Sequence, residues 1–127
     1  MAIYLISFTK EIFAGYYENK ILIIGFSGIN EHQYFLIQYS EEHDSQDRQL
    51  GINTYYIEKN DQSMSSYRGV SELRLTRNKI KIDLDEKGID NLKEISIEID
   101  FECNADEFVN LHNRLKKVFS KEKMKII

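Results

Sequence analysis

The chain has no proline, a single cysteine and no apolar run approaching the ~20 residues a membrane-spanning helix needs. With Cys103 alone, an intrachain disulfide is excluded, which fits a reducing compartment. Proline-rich linkers, low-complexity stretches and internal repeats are all missing. The N-terminal residues lack a basic flank and a small-residue cleavage site, so no signal peptide is expected and a cytoplasmic location is. There is no glycine-rich phosphate cradle ending in Lys-Ser/Thr, no Gly-x-Ser-x-Gly elbow and no His-Glu-x-x-His helix. No catalytic motif is therefore found, and no cofactor is expected. A positive excess is lacking too: the formal net charge is -4, which opposes nucleic-acid binding.

What is present fits one domain spanning residues 1–127, long enough to hold a core without staples. The negative excess is local. Glu41, Glu42, Asp44, Asp47, Glu58 and Asp61 face only Arg48 and Lys59 in the window 41–61, and the rest of the chain balances. An acidic loop is often just solvated, yet this one would also favour a basic partner. The basic tail from Arg114 to Lys125 fits a helix C-terminus, where cations offset the partial negative charge.

Ala2–Phe8 and Glu11–Tyr17 are rich in β-branched and aromatic residues and read as a hairpin or one bent segment. Ile21–Phe26 and Tyr34–Tyr39 show little alternation, as strands buried on both faces do. Ser40–Leu50 reads as a loop, 52–58 as a strand and Lys59–Arg68 as a second polar loop closed by Gly69. Ser71–Leu84 reads as a hairpin, with Leu73, Leu75, Ile80, Ile82 and Leu84 on one face. Two registers keep that face together; a turn on Asn78-Lys79, setting Arg74 opposite Asp83, avoids opposed like charges and is preferred. Asp85–Leu92 fits one or two helical turns. Ile95, Ile97, Ile99 and Phe101 alternate with Ser96, Glu98, Asp100 and Glu102, the pattern of a half-buried strand. Asn104 and Glu107 match a capping box, and Phe108, Leu111, Leu115, Val118 and Phe119 follow at helical spacing. The expected class is α+β: a mostly antiparallel sheet of about six to eight strands with a C-terminal amphipathic helix on one face.

Candidate chemistry is sparse. His112 borders the apolar stripe of the helix and reads as a packed side chain. His32 falls in a loop. His43, among Glu41, Glu42, Asp44 and Asp47, could be imagined beside a hard cation or as the base of a metal-dependent hydrolase, but the segment lacks the glycine-centred spacing of a calcium loop, and no metal is expected. Cys103 reads as a small buried filler. Tyr55, Tyr56 and Tyr67, interspersed with Asp61, Gln62 and serines, have the composition of a recognition surface. Tyr55 and Tyr56 point oppositely on a strand, so one of them enters the core.

A series of local sequences follows in order: Ile37-Gln38; Asp47 to Gly51; Tyr55-Tyr56-Ile57-Glu58; Asn60-Asp61-Gln62-Ser63; Tyr67-Arg68-Gly69-Val70; and the charged hairpin Glu72–Leu84. In this order and spacing the chain resembles the tenth class of bacterial polymorphic-toxin immunity proteins, from about Phe26 to its end. Arg68 departs from the pattern, which favours glycine there. The resemblance implies a non-enzymatic protein, monomer or homodimer, that binds the C-terminal domain of a cognate toxin and blocks it. Many such toxins are nucleases, whose basic channels an acidic face would suit. The expected partner-binding residues are Glu41, Glu42, Asp44, Asp47, Tyr55, Asp61, Gln62, Tyr67 and Arg68. A small interaction or regulatory module without a toxin is the alternative, and the hydrolase using His43 a weaker one.

Overall fold

Alternation of buried and half-exposed positions runs the full length of the strand Ile21–Gly28, with Leu22, Ile24 and Phe26 inward and Ile21 and Ile23 outward. That parity organises one of two sheets in a computed structural model that describes residues 2–18, 20–30, 32–40, 55–119 and 123–126. In chain order the elements are β1 (Ala2–Ile6), β2 (Thr9–Tyr17), β3 (Ile21–Gly28), β4 (Tyr34–Ser40), β5 (Tyr56–Lys59), β6 (Asp61–Tyr67), β7 (Val70–Leu75), β8 (Lys79–Leu84), α1 (Glu86–Leu92), β9 (Glu94–Asp100), α2 (Ala105–Val118) and β10 (Met124–Ile126).

Sheet B is a meander, β2-β3-β4-β5-β6, antiparallel throughout. Sheet A has the order β1-β9-β8-β7-β10, and its two outermost strands pair in parallel, β1 on β9 and β10 on β7. One core joins the sheets: Ile24, Phe35, Ile37 and Ile57 from sheet B, Leu73, Ile80, Ile82, Ile97 and Ile99 from sheet A. Phe26 and Phe101 meet across it, ring centroids 6.1 Å apart. The class is α+β as expected. The strand count is a correction: ten described strands in two five-stranded sheets replace one sheet of six to eight. Two causes account for it. The end strands find partners some 50 to 90 residues away, beyond any local pattern. And Lys59–Arg68, expected as a loop, is mostly β6, an edge strand whose polar sequence Asp61-Gln62-Ser63 suits solvent on its open side.

The chain crosses between sheets at two corners. The first separates β1 from β2, so Ala2–Phe8 and Glu11–Tyr17 are not a hairpin. The second is Arg68-Gly69, where both residues take positive φ, 68° and 114°. Glycine adopts that conformation at little steric cost; arginine does not. Gly69 also lies directly against Gly88 of α1: a Cβ on Gly88 would sit 2.2 Å from the Gly69 carbonyl oxygen. Gly88 thus allows close approach of the short helix, whose Asp85 cap accepts from the Gly88 amide at 3.0 Å.

The β7–β8 hairpin takes the other register: Arg74 faces Lys81 and Glu72 faces Asp83. Neighbours outside the pair decide it. Arg74 Nε meets Glu72 Oε2 at 2.7 Å along its own strand, and Lys81 has Glu98 opposite it on β9. Turning on Arg77-Asn78 lets Arg77 donate to the Cys103 carbonyl at 2.9 Å and lie over the Phe108 ring. A bulge at Ser71 brings Val70 onto the buried side with Leu73 and Leu75. A second irregularity, opposite Ala2 and Ile3, turns Ile95 outward (51% exposed) and buries Ser96 instead, so Ile95 is not core.

The capping box of α2 forms: the Glu107 amide donates to Asn104 Oδ1 at 2.8 Å, and the Asn104 amide to Glu107 Oε1 at 3.0 Å. Leu111, Leu115 and Phe119 enter the core, while Asn110 donates to the Ala14 carbonyl of β2 at 2.9 Å. No described helix is long and apolar enough to cross a membrane.

Candidate protein-binding face

The unbroken apolar runs of β3 and β4 predict two-sided burial, and this holds on one side only. Their outward side chains, Ile21, Ile23, Tyr34 and Leu36, are each only partly buried, and no described element packs over them. Cross-strand register sets these residues in rows. One row runs Phe13, Gly25, Leu36, Glu58, Ser65; its neighbour runs Gly15, Ile23, Gln38, Tyr56, Tyr67. An antiparallel sheet with one solvated face ordinarily makes that face polar. Here it is aromatic and aliphatic, with Phe13 55% and Tyr67 43% exposed.

Glu58 lies within this face, and it is only 7% exposed. Tyr34 donates its phenol proton to Glu58 Oε2, and Tyr56 donates to Oε1 at 2.5 Å. The two rings wall in the carboxylate while each satisfies one oxygen, as a buried charge requires. Desolvation, and then the bond to Glu58, raises the pKa of both phenols above their ordinary value, so they remain donors at neutral pH. Asp61 adds to the effect at Tyr34. Tyr67 tilts against Tyr56 at 5.2 Å between centroids.

Beside Leu36 the face dips. A depression of about 210 Å³ opens over Gly25, bordered by Phe13, Ile23, Tyr34 and Leu36. The Phe13 ring lies over Gly15, and a Cβ built on Gly25 meets nothing within 4 Å. The Asn60 turn fixes the face to the rest of the molecule. At φ 62°, Asn60 accepts on Oδ1 from the Tyr34 amide at 2.8 Å and from the Tyr4 hydroxyl of sheet A at 2.5 Å.

The expected partner-binding residues divide. Glu41, Glu42, Asp44 and Asp47 lie outside the described residues, as does His43. Asp61 and Gln62 are exposed on β6, where Asp61 Oδ1 accepts from the Ser63 amide. Tyr67 stands on the outward face and Arg68 at the corner behind it. Tyr55 is a correction. It is 5% exposed, its ring packs on Phe119 at 4.8 Å and its phenol oxygen accepts from the Val70 amide at 2.9 Å. Because Ile37 and Ile57 pair inward, strand parity sends Tyr55 in with them and Tyr56 out. Residues that sequence reasoning passed over as surface are Phe13, Ile23, Tyr34, Leu36 and Glu58. Their signal was the lack of alternation itself.

No curated protein and no solved structure matches the chain. The chain belongs to the Immunity protein 10 family, which matches residues 9–109 and with them every strand of the face just described.

Proposed function

We propose that this protein is the cytoplasmic immunity partner of a secreted bacterial toxin domain, which it neutralises by binding over the toxin's active surface. Family membership supports the role, and the outward face of sheet B, over which no described element packs, with its tyrosines and buried carboxylate, is the observation that carries the mode of action. The protein acts by occlusion; it transfers no group and uses no cofactor. Glu41, Glu42, Asp44 and Asp47 steer a basic toxin, such as a nuclease with its phosphate-binding channel, toward the complex, and Asp61, Gln62, Tyr67 and Arg68 sit at its rim.

The test is co-expression with the C-terminal domain of the effector encoded directly upstream. A stable complex and loss of toxicity are expected. Neutralising the four acids of residues 41–47 should slow association and flatten its salt dependence. Free toxin activity in the presence of excess protein would end this reading.

A further inference from the structure

Resting on the toxin-binding reading, we infer that the outward face of sheet B is the docking surface, and that its occupant presents a guanidinium to Glu58 and an apolar side chain to the depression over Gly25. Three observations converge. The first is the carboxylate itself. Glu58 is more than nine-tenths buried, yet its two donors are neutral phenols and no described cation pairs with it. An ionised carboxylate offers roughly four acceptor sites, so about two remain for a forked donor.

The second is the charge of the surroundings. The outward positions of β3, β4 and β5 carry no lysine or arginine. A second copy of this chain would bring the same cation-free face against Glu58, so charge complementarity selects a different, basic partner over self-association. Arginine fits better than lysine: its planar head can stack on the Tyr34, Tyr56 or Tyr67 ring while its fork reaches the carboxylate.

The third is spacing. Gly25, Leu36 and Glu58 are successive neighbours across three strands. At strand separations of about 4.8 Å, the depression and the carboxylate lie roughly 10 Å apart. An extended segment of the partner sets side chains of one face roughly 7 Å apart at two positions and roughly 13 Å apart at four, so an arginine and an apolar residue at either of those spacings bracket that distance.

Gly25→Arg tests this without threatening the fold, because the new side chain starts in open space. The probe is the C-terminal toxin domain of the effector encoded directly upstream, titrated onto the wild type, Gly25→Arg, Glu58→Gln and, on sheet A, Arg74→Ala. Gly25→Arg should weaken binding by at least about 100-fold, and Glu58→Gln by about tenfold with a less salt-sensitive association rate. Arg74→Ala should stay within about twofold. Wild-type binding that Gly25→Arg leaves intact overturns this inference alone. Absence of wild-type binding overturns the parent reading and this inference with it. A wild-type dimer that Gly25→Arg converts to monomer assigns the face to self-association and overturns the basic-partner inference.

Discussion

The two sheets present similar aliphatic side chains to one core and differ almost completely on their outer faces. Sheet A turns out Glu72, Arg74, Lys79, Lys81, Asp83, Glu98 and Asp100, an interspersed set in which Arg74 pairs with Glu72 at 2.7 Å and Lys79 reaches Glu98 and Asp100 at 3.7 and 3.5 Å. Ile3 and Leu5 on the edge strand and Ile95 on β9 are its apolar exceptions. Sheet B turns out Phe13, Ile23, Tyr34, Leu36, Tyr56 and Tyr67 around the buried Glu58 carboxylate, with the exposed Glu11 toward its edge. Charges that satisfy one another at the surface keep a face solvated. A carboxylate that among the described residues is served by two phenols, amid exposed rings, sets the other face apart. The difference teaches that the two sheets are distinguished by what they show outward; inward, either sheet makes much the same contribution.

This contrast presupposes that the sheets are held in fixed relation, and Gly88→Ala should break that relation first. The added methyl meets the Gly69 carbonyl at the corner between the sheets, so unfolding free energy should drop by about 3 kcal/mol in urea titrations. Next comes the carboxylate. Tyr34→Phe removes a donor from a buried charge and should cost about 2 kcal/mol, whereas Glu98→Gln on sheet A should cost under about 0.5 kcal/mol. Equal costs would erase the contrast.

Alkali offers a third test. Tyr4, Tyr34, Tyr55 and Tyr56 all have folded pKa values raised above 10.0, chiefly by desolvation. Their protonated forms favour the folded state, so that contribution is whole below the unfolded value and is lost as pH climbs past about 10. Urea midpoints measured from about pH 9 to about pH 11 should fall, and fall less steeply in Tyr34→Phe, whose partner phenol is gone. The smallest effect is expected at the corner. Arg68→Gly relieves a left-handed arginine against the greater backbone entropy of glycine and should stabilise by about 0.5 kcal/mol, read as a raised thermal midpoint.

Local chemistry was legible wherever neighbours in sequence decide the outcome. The Asn104–Glu107 box, the apolar stripe Leu111-Leu115-Phe119 and the short helix before Lys93 are set by residues within a few positions of one another. The β7–β8 register departs from the expectation because it is settled by Glu98 on β9 and by the Cys103 carbonyl that Arg77 reaches, two partners outside the hairpin. Parallel pairing at both edges of sheet A has no local trace. The outward face of sheet B is the instructive case: Ile21–Phe26 and Tyr34–Tyr39 read as two-sided apolar strands, and only the folded arrangement shows that no described element packs on the second side. Which tyrosine of Tyr55 and Tyr56 faces out follows from register, which a single strand does not disclose.

Strand order has a consequence for how the molecule comes into being. Sheet B is made of five strands in succession, so each can join its predecessor as it emerges from the ribosome. Ala2–Ile6 has its place beside Glu94–Asp100, some 90 residues downstream, and stays unpaired until that strand is made, and Met124–Ile126 joins the opposite border later still. The aromatic face of sheet B thus precedes the other sheet in synthesis, and a nascent chain displays its rings before their supporting layer is complete.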